Sequence, residues 1–252
     1  MNRNEYLARI HYPGTPSVTF NSLAELQHCH MRAVPFENLA IHYQQPILLN
    51  EDRLFRKIVG NRRGGFCYEL NGLFAQLLQE IGFTVTLISA EVCQSDGTFG
   101  PAFDHLALLV ELDDVFLVDV GFGDSFIRPL RLQQRGSQMQ GTTAYLIRQE
   151  GDTYVLHHKK LAEPGADWKP HYRFTRQARQ LADFSPMCHY HQTSPESHFT
   201  HKRVCSRATV EGRVTFSDQR LVVTQGASRT ETILESEAEF SQALQAHFSI
   251  RI

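Results

Sequence analysis

Several absences narrow what this chain can be. No run approaches the ~18–20 consecutive apolar residues of a membrane helix, and Met1-Asn2-Arg3-Asn4-Glu5-Tyr6 lacks the apolar core of a signal peptide. The five cysteines, Cys29, Cys67, Cys93, Cys188 and Cys205, are odd in number, scattered and free of any C-x-x-C pair. A disulfide framework is therefore not expected, and a reduced, cytoplasmic protein with no membrane attachment is. Positive charge is not in excess: 25 Lys and Arg stand against 27 Asp and Glu, a formal net charge of −2. That balance argues against nucleic acid as a partner, which would call for a basic stripe. Internal repeats and low-complexity segments are missing too. What is left is ordinary globular composition over 252 residues, enough for one large domain or two to three lobes.

The stretch that organises the rest is Arg62-Arg63-Gly64-Gly65-Phe66-Cys67-Tyr68-Glu69-Leu70-Asn71. Behind it Leu70, Leu73, Phe74, Leu77, Leu78 and Ile81 recur at helical spacing, and Gly82 supplies a stop. Cys67 is thus placed in the first turn of a helix with one buried face. Unpaired N–H groups and the macrodipole there favour a thiolate. The paired glycines would let the backbone turn sharply and approach a ligand. Taken alone, Cys67 is more often a buried core thiol.

Two further residues change that balance. His105, in Phe103-Asp104-His105-Leu106-Ala107, and Asp119, in Val118-Asp119-Val120-Gly121, stand at the edges of strongly apolar, strand-like runs. A nucleophile at a helix start, with a base and an orienting carboxylate on adjacent strands, is the plan of a Cys-His-Asp triad. Asp104 is the local rival as orienter. Adjacent strand residues point to opposite faces, so Asp104 is badly aimed at the His105 ring.

The remaining pattern places helices first. They are expected at residues 4–10, at 22–32 from the capping box Ser22-Leu23-Ala24-Glu25, and after the N-cap Asn50. Strands follow at 84–92, 106–112, 115–120, 144–149 and 153–157, the last two joined across Glu150-Gly151-Asp152. A polar loop spans 94–101, and 161–200 carries no regular pattern. A further antiparallel set is expected at 204–209, 213–216 and 219–223. A last helix starts at the capping box Ser236-Glu237-Ala238-Glu239. Helices, then strands, then a mixed tail argue for an α+β protein.

The thirteen histidines include His28-Cys29-His30, His157-His158 and His189-Tyr190-His191, but none has zinc-site partners at a usual spacing, so no metal is expected. Glu69 and Asn71 read as first-turn electrostatics or as a packed network under the site. Arg62 and Arg63 read as structural ion-pair partners of acids such as Glu37 or Glu69.

These motifs, with Pro35-Phe36-Glu37-Asn38-Leu39 upstream and Ser194-Pro195-Glu196-Ser197-His198-Phe199 downstream, resemble those of the arylamine N-acetyltransferase family along nearly the whole chain. The resemblance implies an N-terminal helical bundle at 1–83, a central antiparallel β-barrel at 84–190 and a C-terminal α/β lid at 191–252, around a papain-like Cys-His-Asp core. It implies Cys67, His105 and Asp119 as catalytic residues, and acetyl-CoA as co-substrate near Gly121, Phe122 and Gly123. An aromatic amine or hydrazine would be held by Phe36, Phe122 and Phe199, in a reaction of xenobiotic metabolism. Some family members continue past the last helix, whereas Phe248 here is close to the final Ile252, which leaves the shape of the CoA cleft open. An amide synthase of the same family, a papain-like peptidase or transglutaminase, and a non-catalytic binding module are the competing readings. Oligomeric state is not legible.

Overall fold

The computed structural model describes residues 1–226 and 228–251. Eight α-helices, counted among these residues, are α1 (Arg3–Arg9), α2 (Phe20–Ala33), α3 (Leu39–His42), α4 (Glu51–Phe55), α5 (Cys67–Ile81), α6 (Ser185–Thr193), α7 (His198–His201) and α8 (Glu237–Phe248). The strands are β1 (Phe36–Glu37), β2 (Thr84–Val92), β3 (His105–Glu111), β4 (Val115–Val118), β5 (Leu130–Arg131), β6 (Gln138–Gln140) and β7 (Thr143–Glu150). After them come β8 (Thr153–Lys160), β9 (Lys169–Thr175), β10 (Val204–Ala208), β11 (Gly212–Ser217), β12 (Arg220–Gln225) and β13 (Ser228–Ile233). No described helix is long and apolar enough to cross a membrane.

The chain is α+β, with two sheets. An eight-stranded antiparallel sheet runs β5-β4-β3-β2-β9-β8-β7-β6. Its outer strands meet through side chains rather than a backbone ladder. Gln138 Oε1 accepts from Arg131 N–H at 2.8 Å, and Gln140 Oε1 accepts from the N–H groups of Ile127 and Arg128 at 2.9 and 3.0 Å. Their amide nitrogens return bonds to the carbonyls of Arg131 and Arg128 at 3.0 and 2.8 Å. Two glutamines thereby satisfy edges that would otherwise be open for pairing, and the sheet nearly closes into the expected barrel. The second sheet, β1-β10-β11-β12-β13, draws in Phe36–Glu37 from the helical region and packs on α8.

β3 explains its own unbroken apolar run. Leu106, Leu108 and Val110 face a core made with α1, α2 and α5, while Ala107 and Leu109 face the barrel interior with Leu117, Leu156, Tyr172 and Phe174. Both faces are buried, so hydrophobic alternation disappears. By the same parity His105 points to the barrel side, and Asp104 to the other.

Local signals hold at most boundaries. Asn50 caps α4 through Arg53 N–H at 3.2 Å, Ser236 caps α8 through Glu239 N–H at 3.2 Å, and Gly82 ends α5 with φ +112°. The start of α2 is different. Thr19 is its N-cap, accepting from Ser22 N–H at 3.3 Å, while Ser22 turns its hydroxyl to Tyr12 Oη at 2.9 Å. The capping-box pattern pointed to Ser22, but its hydroxyl is taken by a tertiary partner and the helix starts one turn earlier. α4 passes into a π-turn at Arg56–Gly60. In the irregular stretch 161–200 the structure forms β9, a 3₁₀ turn at Leu181–Phe184, α6 and most of α7.

Candidate active site

Cys67 is the first residue of α5, and the start of that helix is fixed by one acid. Glu69, 1 % exposed, accepts from Phe66 N–H at 3.2 Å and from Lys57 Nζ at 2.7 and 2.9 Å. Half of a capping box and an ion pair therefore anchor the turn that carries the thiol. Burial pushes the Glu69 carboxyl up, and Lys57 opposes the rise. The preceding glycines serve packing rather than a ligand. A Cβ at Gly64 would come within 2.0 Å of Pro35 O, and one at Gly65 within 2.6 Å of Glu69 Oε2. Arg63 Nη2 pairs with the buried Glu37 at 2.9 Å, as expected for that ion pair, and Glu37 also accepts from Leu39 N–H at 2.7 Å. Among the described residues Arg62 makes no ion pair; its carbonyl accepts from Arg9 Nη2 at 3.3 Å.

His105 opens β3 and Asp119 follows directly on β4, which sets them side by side: Nε2 lies 2.7 Å from Asp119 Oδ2. Three more donors converge on that carboxylate. Tyr172 Oη donates to Oδ2 at 3.2 Å, while Asn71 Nδ2 and Gly121 N–H each donate to Oδ1 at 2.9 Å. Burial pushes the Asp119 carboxyl up, but His105, Asn71 and the Gly121 N–H together hold it below its ordinary value. Asn71 does more than this. It also donates to Leu106 O at 2.7 Å and accepts from Val120 N–H at 2.9 Å, so α5 grips both strands that carry the pair. With Nε2 committed to Asp119, Nδ1 is the ring nitrogen left for the thiol.

Cys67 itself is 3 % exposed, and its sulfur lies against the Leu106 backbone N–H. A Cβ on Gly121 would come within 2.7 Å of Cys67 Cα, so the helix start and the 119–121 segment are in contact. Among the described residues no hydrogen bond joins Cys67 Sγ to His105. The electrostatics correct the expectation of an intrinsically acidic thiol. Burial pushes the Cys67 thiol well up, the Leu106 N–H opposes this, and the Asp119 and Asp104 charges add to the rise. A thiolate here needs a protonated His105 ring beside it.

The three expected pocket aromatics fall in two groups. Phe199 packs on Phe36 and edge-on to Phe66, with centroids at 6.2 and 5.7 Å, on the Cys67 side. Phe122 stands edge-on to His105 at 5.1 Å and lies on His171 at 4.2 Å, on the barrel side. Gly121 packs close to protein groups, Cys67 and Asn71, whereas a Cβ on Gly123, whose φ is +92°, would meet the Phe36 ring only at an ordinary 3.5 Å. Asp104 does not touch His105; it pairs with His191 Nε2 at 3.1 Å.

Tyr172 carried no motif, because it lies within the stretch without a regular pattern. The signal was there: in Lys169–Thr175 Tyr172 and Phe174 are buried between more exposed neighbours, a period of two. No group of three or more His, Cys, Asp or Glu suited to a metal occurs among the described residues.

A family model described as N-acetyltransferase matches residues 19–252. The arylamine N-acetyltransferase of Mycolicibacterium smegmatis is 32% identical over 257 residues, covering 99% of this chain and 92% of the relative. A proansamycin X synthase of Amycolatopsis mediterranei is 31% identical, covering 92% and 91%. Among solved structures, Mycobacterium marinum arylamine N-acetyltransferase in complex with CoA superposes with a TM-score of 0.90 at 29% identity, covering 99% of this chain and 93% of that one.

Proposed function

Because the chain belongs to the arylamine N-acetyltransferase family, we propose that it carries an acetyl group from acetyl-CoA to an arylamine, arylhydroxylamine or arylhydrazine through an acetyl-cysteine. The observation that carries this reading is the Asp119–His105 pair held against the helix start that bears Cys67. His105 Nδ1 takes the thiol proton as Cys67 Sγ attacks the acetyl carbonyl. The S–C bond to CoA breaks and the CoA sulfur leaves as its thiol with that proton. One thioester replaces another, so little driving force is needed. The amine nitrogen then attacks the acetyl-cysteine, the S–C bond to Cys67 breaks and the nitrogen's proton passes by way of His105 to the Cys67 sulfur, giving an amide and the free thiol, which is downhill. Asp119 fixes the ring with Nε2–H toward itself and stabilises the imidazolium. The Cys67 N–H, at a helix start with no intrahelical acceptor, is the proposed oxyanion donor.

In this reading the pocket lies where the helical lobe 1–83, the barrel lobe 84–190 and the C-terminal segment 191–252 converge. Phe36 and Phe199 wall the acceptor from one side and Phe122 from the other, flat apolar surfaces suited to an aromatic ring. The Gly121–Gly123 segment, next to Cys67, is the proposed place for the acetyl-CoA arm, and a relative's structure in complex with CoA supports CoA as the donor. The cytoplasm, where acetyl-CoA is at hand, is the proposed location. Intact-mass measurement after incubation with acetyl-CoA alone tests the mechanism. An acetyl adduct mapped to Cys67 and discharged by an arylamine is expected, with parallel double-reciprocal lines. Turnover with no adduct and intersecting lines would overturn it.

A second reading is an amide synthase of the same family acting on a carrier-bound acyl chain. The 31% identity to the proansamycin X synthase favours keeping it. Acylation of Cys67 by a carrier-bound thioester but not by acetyl-CoA would select it.

A further inference from the structure

A second buried chain of polar side chains starts one residue from His105 and ends at Phe199. Asp104 and His191 are 8 % and 3 % exposed, with His191 Nε2 3.1 Å from Asp104 Oδ1. The approach lies off the hydrogen-bonding direction, so it is a polar contact rather than a hydrogen bond. On the other edge of the ring, His191 Nδ1 is 3.0 Å from Ser197 Oγ, which also accepts from Phe199 N–H at 3.3 Å as the cap of α7. The His191 ring meets Phe199 edge-on at 5.1 Å and stacks on Tyr68 at 6.1 Å.

The other end is anchored just as firmly. Phe103 has φ +65°, a left-handed conformation that costs a bulky residue free energy. Three contacts hold it. Tyr68 Oη donates to Phe103 O at 2.7 Å and to Asp104 O at 3.1 Å, and Phe103 N–H donates to Ser89 Oγ at 2.7 Å. Tyr68 adjoins Cys67, so the turn is tied to the nucleophile as well as to the base. The far oxygen of Asp104 leaves no room for a side chain at Gly100, where a Cβ would come within 2.7 Å of Oδ2.

An Asp-His-Ser order invites comparison with a hydrolytic triad. Ser197 is 2 % exposed and its oxygen is taken by the α7 cap, which leaves it in no position to attack a substrate. We infer that Asp104, His191 and Ser197 form a latch that fastens the α6–α7 segment to the turn before His105, and so sets the position of Phe199 over the acceptor pocket. His191 is then a positioning residue for the amine half of the reaction, acting through Phe199. This inference rests on the acetyl-transfer reading for the role of Phe199.

Three variants test it: His191→Leu, His191→Gln, and the double change Asp104→Asn with His191→Leu. Acetyl-Cys67 formation without acceptor, acceptor KM, and hydrogen exchange of residues 194–203 without substrate are read on each. In His191→Leu the acceptor KM should rise about tenfold or more, since a shift of ~1 Å in a positioning group has large effects. Acetyl-Cys67 should form at close to the native rate. Exchange at 194–203 should quicken, and His191→Gln, whose amide N–H can face Asp104, should restore both KM and protection. If His191→Leu folds poorly because Asp104 is left buried and unpaired, the double variant removes that charge and should show the same KM rise. Equal losses in both half-reactions, or an unmoved KM with unmoved exchange, would overturn the latch. Failure of the native protein to form acetyl-Cys67 sinks the transfer reading instead, and the exchange measurement still decides the latch.

Discussion

Asn71 Nδ2 donates to Asp119 Oδ1 at 2.9 Å, from the edge of the carboxylate opposite the one that meets His105. A helix side chain thus aims a strand carboxylate, while its carbonyl oxygen fixes the next backbone N–H, that of Val120. Asn71→Ala should lower kcat by about 10–100-fold, the range seen when an outer partner of a functional ligand is removed. It should also cost ~1–3 kcal/mol of stability for each buried group orphaned. Steady-state rates and denaturant unfolding read the two effects. A native kcat in Asn71→Ala would show that Tyr172 and Gly121 suffice to aim Asp119.

Asp119→Asn keeps the shape and removes the charge. The His105 ring then loses the acceptor that holds Nε2–H, a change that cost ~10⁴ in kcat in a serine-protease triad. Near-normal acetyl transfer by Asp119→Asn would mean that another group orients the ring.

The burial-raised thiol gives His105 a measurable duty. In the proposed mechanism the protonated His105 ring supplies the counter-charge for a Cys67 thiolate. In His105→Asn that counter-charge is gone, and burial with the Asp119 and Asp104 charges pushes the thiol up, opposed only by the Leu106 N–H. A raised thiol pKa lowers the thiolate fraction at any pH below it, by about tenfold per unit. Iodoacetamide labelling of Cys67 at neutral pH should therefore slow by at least about tenfold in the variant and recover only as the solution is made alkaline. Equal labelling of native and variant protein would show that the ring does not supply the counter-charge.

Gly121 packs against the nucleophile, and a Cβ there would come within 2.7 Å of both Cys67 Cα and Asn71 Nδ2. Backbone cannot yield as a flexible side-chain end does. Gly121→Ala should cost ~1–3 kcal/mol by overpacking and should depress acetyl-Cys67 formation more than acceptor KM. Thermal unfolding and single-turnover acylation would check this; unchanged acylation would mean that the 119–121 segment moves freely relative to α5.

His30 is fully buried against Tyr6 Oη at 3.0 Å, and burial pulls its pKa down from 6.5 to about 3. Between those values the unfolded chain holds a proton that the folded chain does not, so stability falls as pH drops from 6.5 toward 3. Each such proton contributes a slope of ~1.4 kcal/mol per pH unit. His30→Phe should flatten the pH dependence of unfolding free energy across this window by up to that amount, whatever its effect at neutral pH. An unaltered slope would mean that His30 does not carry the acid sensitivity.

Sequence alone determined what depends on neighbours a few residues apart. The apolar stripe of α5 with Cys67 at its head, the caps Asn50 and Ser236, the stop at Gly82, and the β7–β8 hairpin all follow from local periodicity, caps and turn chemistry. Tertiary structure decided what depends on residues far apart in the chain. Strand parity already aimed Asp104 away from His105, but only the pairing of β3 with β4 brings Asp119 to that ring and only tertiary packing gives Asp104 its partner, His191. Tyr172, 53 residues beyond Asp119, reaches the same carboxylate because β9 pairs with β2. The thiol of Cys67 is governed the same way. A helix start favours its charge, but desolvation depends on everything packed around it, and in a fully buried site that larger effect wins.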